Sequence, residues 1–166
     1  MQIILEGEAT TLSALSQAHD ALEYPLGMYE AIGVAMVTST RERFDRGESP
    51  EGNPWPVSLR AQFEGGKTLV DKGALVKSIT HIADQNGVEI GTNLEYAATH
   101  QFGATITPKS AGALRFSIPG IGFITSQSVN IPARPFIGLS AEDEVEIETI
   151  AFDFIAEAFG GAGDAG

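Results

Sequence analysis

The sequence predicts an α+β single domain, with a small antiparallel or mixed sheet packed by N-terminal and C-terminal helices and long loops between. Three observations carry this. Apolar residues recur at helical spacing near both ends, in residues 12–44 and 147–158. The middle instead holds short apolar runs around two turn signals, Asn86-Gly87 and Pro119-Gly120. A length of 166 residues with 43% hydrophobic content suits one folded unit, which should bury roughly 70% of the surface its unfolded chain exposes. Strands grouped between helices, rather than alternating with them, favour α+β over a doubly wound sheet.

Residues 1–5 read as a short strand or a leader. Thr10 and Thr11 stand where a helix cap is needed, ahead of Leu12, Leu15, Ala18 and Leu22. Pro25 suits the start of a second helix, where its missing N–H costs nothing. That helix spans about residues 26–44. Tyr29, Ile32, Met36 and Phe44 share a face, and Gly33, Ala35 and Ser39 permit close packing. Arg41 and Arg43 complement the dipole in its last turn, and Gly47 stops it. Residues 48–58 carry three prolines that fix their own φ and restrict their predecessors, so regular structure is excluded. Trp55, between two of them, either lids the core or anchors a neighbouring subunit.

After Gly65-Gly66, residues 69–75 predict a turn and one or two helical turns. Residues 78–83 and 87–91 predict a hairpin closed at Asn86-Gly87. Asn93 can cap a short helix through Tyr96, Ala97 and His100, ended by Gly103. Two more strands are predicted at 113–118 and 123–128. Residues 131–136 are extended but outside any sheet interior, because Pro132 and Pro135 lack donors. Ser140 and Asp143 stand at capping-box spacing, with Asp in place of Glu. The last helix then carries Ile147, Ile150, Ala151, Phe154, Ile155 and Ala158 as its apolar stripe. Glu142, Glu146, Asp153 and Glu157 lie opposite. Residues 160–166 read as a flexible tail.

The charge divides unevenly. Of the net −12, residues 1–40 carry −5, residues 41–140 carry +1 and residues 141–166 carry −8. This acidity argues against a nonspecific grip on nucleic acid, which needs clustered Lys and Arg. The absence of cysteine excludes disulfides, thiol catalysis and thiolate metal sites. No apolar run approaches the ~18 residues of a membrane span, and residues 1–6 lack the basic start of a secretory signal.

Chemistry-bearing motifs are few. Gly66-Lys67-Thr68 resembles the end of a phosphate loop, but Ala61 stands where the motif needs glycine. His19 and Glu23 share a helix face and read as a solvated ion pair rather than a metal site. His81 and Asp84 read as polar neighbours at a turn, and His100 as a hydrogen-bonded structural histidine. No nucleophile–base motif such as Gly-x-Ser-x-Gly occurs. The chain is therefore expected to be no enzyme, with no catalytic, metal or cofactor-binding residues.

Arg43-Phe44 with Gly47, Ser49-Pro50, Gly52 and Trp55, then Leu69-Val70-Asp71-Lys72-Gly73-Ala74-Leu75 with Ser78-Ile79, form two blocks. Val88-Glu89-Ile90-Gly91-Thr92 with Tyr96-Ala97 and His100-Gln101-Phe102-Gly103 form a third, and residues 131–140 a fourth. In this order, from about residue 26 to 160, they resemble the phage virion morphogenesis family typified by Mu-like phages. Residues 1–25 are not covered.

The resemblance implies a structural protein of the head–tail junction, forming a ring, usually sixfold, at the end of a tail tube. Assembly in the bacterial host cytoplasm and retention in the virion follow from it. Its implied partners are further copies of itself, the tail tube protein and a head completion or connector protein. DNA would pass through without specific binding, and no membrane is involved. A head-side neck protein or a transient assembly adaptor is the alternative. No catalytic residues carry over from the family.

Trp55, Tyr96, Phe102, Arg134 and Phe136 are the candidate interface residues. Glu142, Glu146, Asp153 and Glu157 are candidates for an acidic channel lining. Residues 104–114 and 126–135 are candidate docking elements, and residues 129–132 could add to a neighbour's sheet edge. Arg134, in a stiff apolar segment, requires a carboxylate or carbonyl partner in the same fold or across a subunit boundary.

Overall fold

A computed structural model describes residues 8–110, 112–118 and 120–160. The expected strand or leader at 1–5, Pro119 of the second turn signal and residues 161–166 of the tail lie outside them. Helices α1 (Glu8–Glu23) and α2 (Leu26–Arg46) open the chain. Short helices α3 (Leu59–Glu64) and α4 (Ala74–Ser78) precede strands β1 (Thr80–Ala83) and β2 (Val88–Gly91). Helix α5 (Ala97–Phe102), strands β3 (Ala104–Ile106), β4 (Leu114–Ile118), β5 (Gly122–Ser126) and β6 (Val129–Ile131), and helix α6 (Ala141–Gly160) complete it. The α+β class holds. The strands are divided among three antiparallel ribbons, β1–β2, β3–β6 and β4–β5.

The long helices follow local rules. Pro25 precedes α2, and Gly47, in the left-handed conformation, donates to the Arg43 carbonyl at 2.7 Å and ends it. At α6, Ser140 N–H donates to Asp143 Oδ2 at 2.8 Å and Asp143 N–H to Ser140 Oγ at 3.1 Å, the reciprocal box that the spacing predicts. The six stripe residues of α6 are its half-buried ones, and the face packs on α1 and α2. Helix α1 begins at Glu8, so Thr10 and Thr11 lie within it rather than cap it. Its packed side is the small one, Ala14, Ala18 and Ala21, while Leu12, Leu15 and Leu22 are exposed.

The core gathers under α2. Phe44 meets Trp55 edge-on at 5.4 Å and Phe136 at 5.2 Å between ring centroids, and Val37, Leu75, Ile79 and Ala97 close around them. Gly33 lets β1 approach α2, since a Cβ there would stand 2.3 Å from the His81 ring. His81 Nε2 bonds Glu30 across this contact at 2.9 Å. His81 thus ties β1 to α2 instead of serving its own turn. Asp84 does serve the turn, its Oδ1 accepting from Asn86 and Gly87 N–H at 2.7 and 3.1 Å. That side-chain bridge closes the hairpin as an Asx-type turn.

Two further expectations change. Asn93 caps nothing: the turn before α5 is held by Thr92 Oγ1, which accepts from Leu94 N–H at 3.2 Å. Residues 129–131, expected to reach a neighbour, pair with β3 of their own chain, Ala104 opposite Ile131 and Ile106 opposite Val129. Both strands are three residues long, too short to show an alternation in sequence.

Gly103 ends α5 at φ 73° and ψ 164°, and a Cβ there would lie 2.9 Å from Ala133 N and 3.0 Å from Ile131 O. That region of conformation is essentially reserved for glycine, at roughly 1–3 kcal/mol for other residues. Gly103→Ala is expected to lose at least that much in urea unfolding, because the obstructing atoms are backbone. An unchanged midpoint would contradict this packing.

Candidate functional site

The extended segment 132–138 organises the site. Its prolines remove two donors, and α5 takes up three of the remaining ones. Arg134 N–H donates to His100 O at 2.7 Å. Gln101 Oε1 accepts from Phe136 and Ile137 N–H at 2.9 and 3.1 Å, and its Nε2 donates to Ile137 O at 2.7 Å. One glutamine side chain thus replaces a strand partner for a segment that cannot join a sheet. Trp55 Nε1 donates to Pro135 O at 2.8 Å and pins the same segment to the core.

Below it, Arg43 is fully enclosed at 2% exposure. Its guanidinium donates to Gly138 O at 2.8 Å, Phe136 O at 3.2 Å and Ser39 Oγ at 3.2 Å, and pairs with Asp143, itself 4% exposed. Burial pushes the Asp143 carboxyl up. The Ser39 hydroxyl, the Ser140 N–H, the Arg43 charge and the Ser140 hydroxyl outweigh it, so Asp143 is held below the usual carboxylate range. Arg43, expected as a dipole partner at a helix end, is the bolt between α2, the 136–138 carbonyls and α6.

The candidate interface residues separate into two groups. Trp55, Arg134 and Phe136 are buried within this chain. Trp55 and Phe136 belong to the aromatic core, while Arg134 also lines a cavity beside Tyr96 and His100. Arg134 finds the carbonyl partner in its own fold: its Nε donates to Pro56 O at 2.6 Å. Tyr96 and Phe102 are exposed, Phe102 to 78%, and Tyr96 stacks edge-on against His100. Glu142, Glu146, Asp153 and Glu157 are all exposed along α6. Glu142 and Glu146 rim a cleft of about 780 Å³ with Glu42, Glu48 and Glu51. Its one deep cation, Arg43, is already spent on Asp143, so the cleft repels phosphate.

His19 lies 3.6 and 3.7 Å from Asp20 and Glu23 on the exposed face of α1, a solvated group as expected. Lys67 of the phosphate-loop look-alike pairs with Asp45 at 2.6 Å. His100 departs from expectation. Its Nδ1 is buried with no partner among the described residues, and burial, then the Arg134 charge, lower its pKa.

Much apolar surface remains open. Phe123 is 91% exposed, Phe152 70%, and Leu12, Leu15, Leu22, Ile82 and Ile121 are more than half exposed. Phe102→Ser is therefore expected to leave unfolding within about 0.5 kcal/mol of the parent, while weakening self-association in sedimentation at equal concentration. A large loss of stability would mean that Phe102 belongs to the core.

Comparison with known proteins gives the following. The model of the phage virion morphogenesis family matches residues 8–155, taking in the whole of α1, which the four sequence blocks do not reach. Mu-like prophage FluMu G protein 2 of Haemophilus influenzae is 30% identical over 147 residues, 89% of this chain and 90% of that protein. The putative capsid assembly protein G of Escherichia phage Mu is 31% identical over 127 residues, 70% of each. No solved structure matches the chain. Among the described residues, no helix is long and apolar enough to cross a membrane.

Proposed function

The chain belongs to the phage virion morphogenesis family, and from that premise we propose that it forms a homo-oligomeric, hexameric ring that terminates a tail tube and supplies the head-joining surface. The observation that supports this reading is the exposed apolar surface on α1, the ribbons and α6, which a monomer would leave in water. One subunit is roughly 40 Å across by size scaling, too small to enclose a duplex alone. A closed set of heterologous contacts encloses one. In this reading the exposed acids of α6 that no neighbouring copy takes up face the channel, so DNA slides through without binding. The tail tube protein and a head completion protein meet its two rims. No catalysis is assigned to it.

Light scattering on the purified protein, with and without tube protein, tests the ring. Six copies are expected, and a strict monomer in both conditions rejects it. A second reading, a head-side or transient assembly factor, draws on the printed description of the phage Mu relative as a putative capsid assembly protein. Mass spectrometry of purified particles distinguishes the two. A protein absent from mature virions favours the transient role.

A further inference from the structure

Between α4, α5 and the extended segment lies a cavity of about 370 Å³ lined by Arg60, Asp71, Lys72, Tyr96, His100 and Arg134. Arg134 is 5% exposed, yet its only side-chain hydrogen bond among the described residues is from Nε to Pro56 O. Arg60 spends its guanidinium on three carbonyls, those of Gly65, Lys67 and Val70. Among the described residues no carboxylate lies within ion-pair distance of Arg60, Lys72 or Arg134, and Asp71 pairs with none of them. The His100 Nδ1 beside Arg134 is buried and unpartnered as well. Three cations against one carboxylate, with the deepest cation left unneutralised, make a built receptor for an anion.

Matching anions stand on the same molecule, on α6. Exposed Glu142, Glu144, Glu146, Glu148, Asp153 and Glu157 of α6 have no basic partner among the described residues. Only Asp143 of this helix is paired, and it is buried against Arg43. Among its described residues each copy thus presents both halves of an ion pair and joins neither within itself.

We infer that the Arg134 cavity receives a glutamate or aspartate side chain from the α6 of a second copy. This rests on the self-assembly reading above and names its contact. The contact is heterologous, acidic helix of one copy into basic cavity of the next, and so repeats around a ring. Seating the carboxylate on the terminal guanidinium nitrogens supplies the charge-assisted, bidentate pairing that arginine geometry favours. It also dries a site whose cation is otherwise costly to bury.

Zero-length carbodiimide cross-linking tests this, because it joins an amine to a carboxylate only when the two are in contact. Full-length protein, half of it ¹⁵N-labelled, is cross-linked and digested. Lys72 is expected to link to an α6 acid in mixed-isotope pairs, and Arg134→Lys to add a second such link from position 134. A variant that fails to fold removes only the second link, since Lys72 is native. Absence of any mixed-isotope link from Lys72 to residues 142–157 overturns the inference, whether or not the protein assembles. The oligomer state, measured on the same samples, decides the ring separately: a ring without the link refutes the contact alone. A link without a ring upholds the contact and refutes the ring.

Discussion

Asp143→Ala is expected to destabilise the protein by about 3–5 kcal/mol, the loss seen when one partner of a buried ion pair is removed. The cost arises from what stays behind. Arg43 would remain enclosed with its charge met only by the Phe136 and Gly138 carbonyls and the Ser39 hydroxyl. The same substitution opens the capping box at the start of α6, because Asp143 Oδ2 also accepts from Ser140 N–H. Urea unfolding followed by circular dichroism measures it, and a loss below about 1 kcal/mol would contradict the buried geometry. Arg43→Met combined with Asp143→Leu is expected to cost less than Asp143→Ala alone, since two apolar side chains leave no orphaned charge. Acid acts on the same pair. The folded carboxyl binds its proton less readily than the unfolded one. Its contribution is complete above the ordinary aspartate value of about 3.9 and is lost as pH falls through the lower, folded value. Stability should therefore decline between roughly pH 5 and the acid limit, and Asp143→Asn should flatten that decline. An equal acid slope in parent and variant would show that other carboxylates carry it.

Phe44→Ala is the second large effect, at roughly 3–5 kcal/mol for an aromatic truncated in a closed core. Phe44 is 1% exposed and touches both other aromatic anchors, so its removal opens a cavity shared by Trp55 and Phe136. Trp55 is the chain's single tryptophan, and its emission reports this cavity directly. A red-shifted spectrum with an earlier urea midpoint is expected. A spectrum and midpoint like those of the parent would mean that the three rings do not form the core. The contrast with Phe102→Ser is informative, because that phenylalanine is expected to matter to association and not to folding.

The two variants also show how far residue patterns reach. The α6 stripe, the Ser140–Asp143 box, the stop at Gly47, the hairpin at 84–87 and the order of the four family blocks are legible from neighbours in the chain. The candidate interface was only partly legible. Aromatic and arginine residues in stiff loops read equally well as core anchors and as contact points, and only the folded chain places Trp55 and Phe136 in the aromatic core and Arg134 at a cavity wall. The packed side of α1 was not legible for a related reason. Spacing places Leu12, Leu15 and Leu22 on one side of a helix, but it does not say which side meets α6, and the small alanine side does.

By itself the sequence determined the class, the long helices, the stop at Gly47 and the start at Ser140, because each depends on chemistry within a few residues: capping, turn geometry and helical periodicity. The family resemblance came from the order of short blocks along the chain. Only the tertiary structure decided that Arg43 bolts to Asp143, that Gln101 clamps the proline-rich segment, that His81 reaches Glu30, and that β3 pairs β6. These contacts join residues far apart in the chain. Their existence depends on which faces pack once the loops have closed, and local pattern is silent about that choice. The charges of the Arg134 cavity and of α6 that lack partners among the described residues belong to the same level, since a missing partner is visible only once side chains distant in sequence have positions.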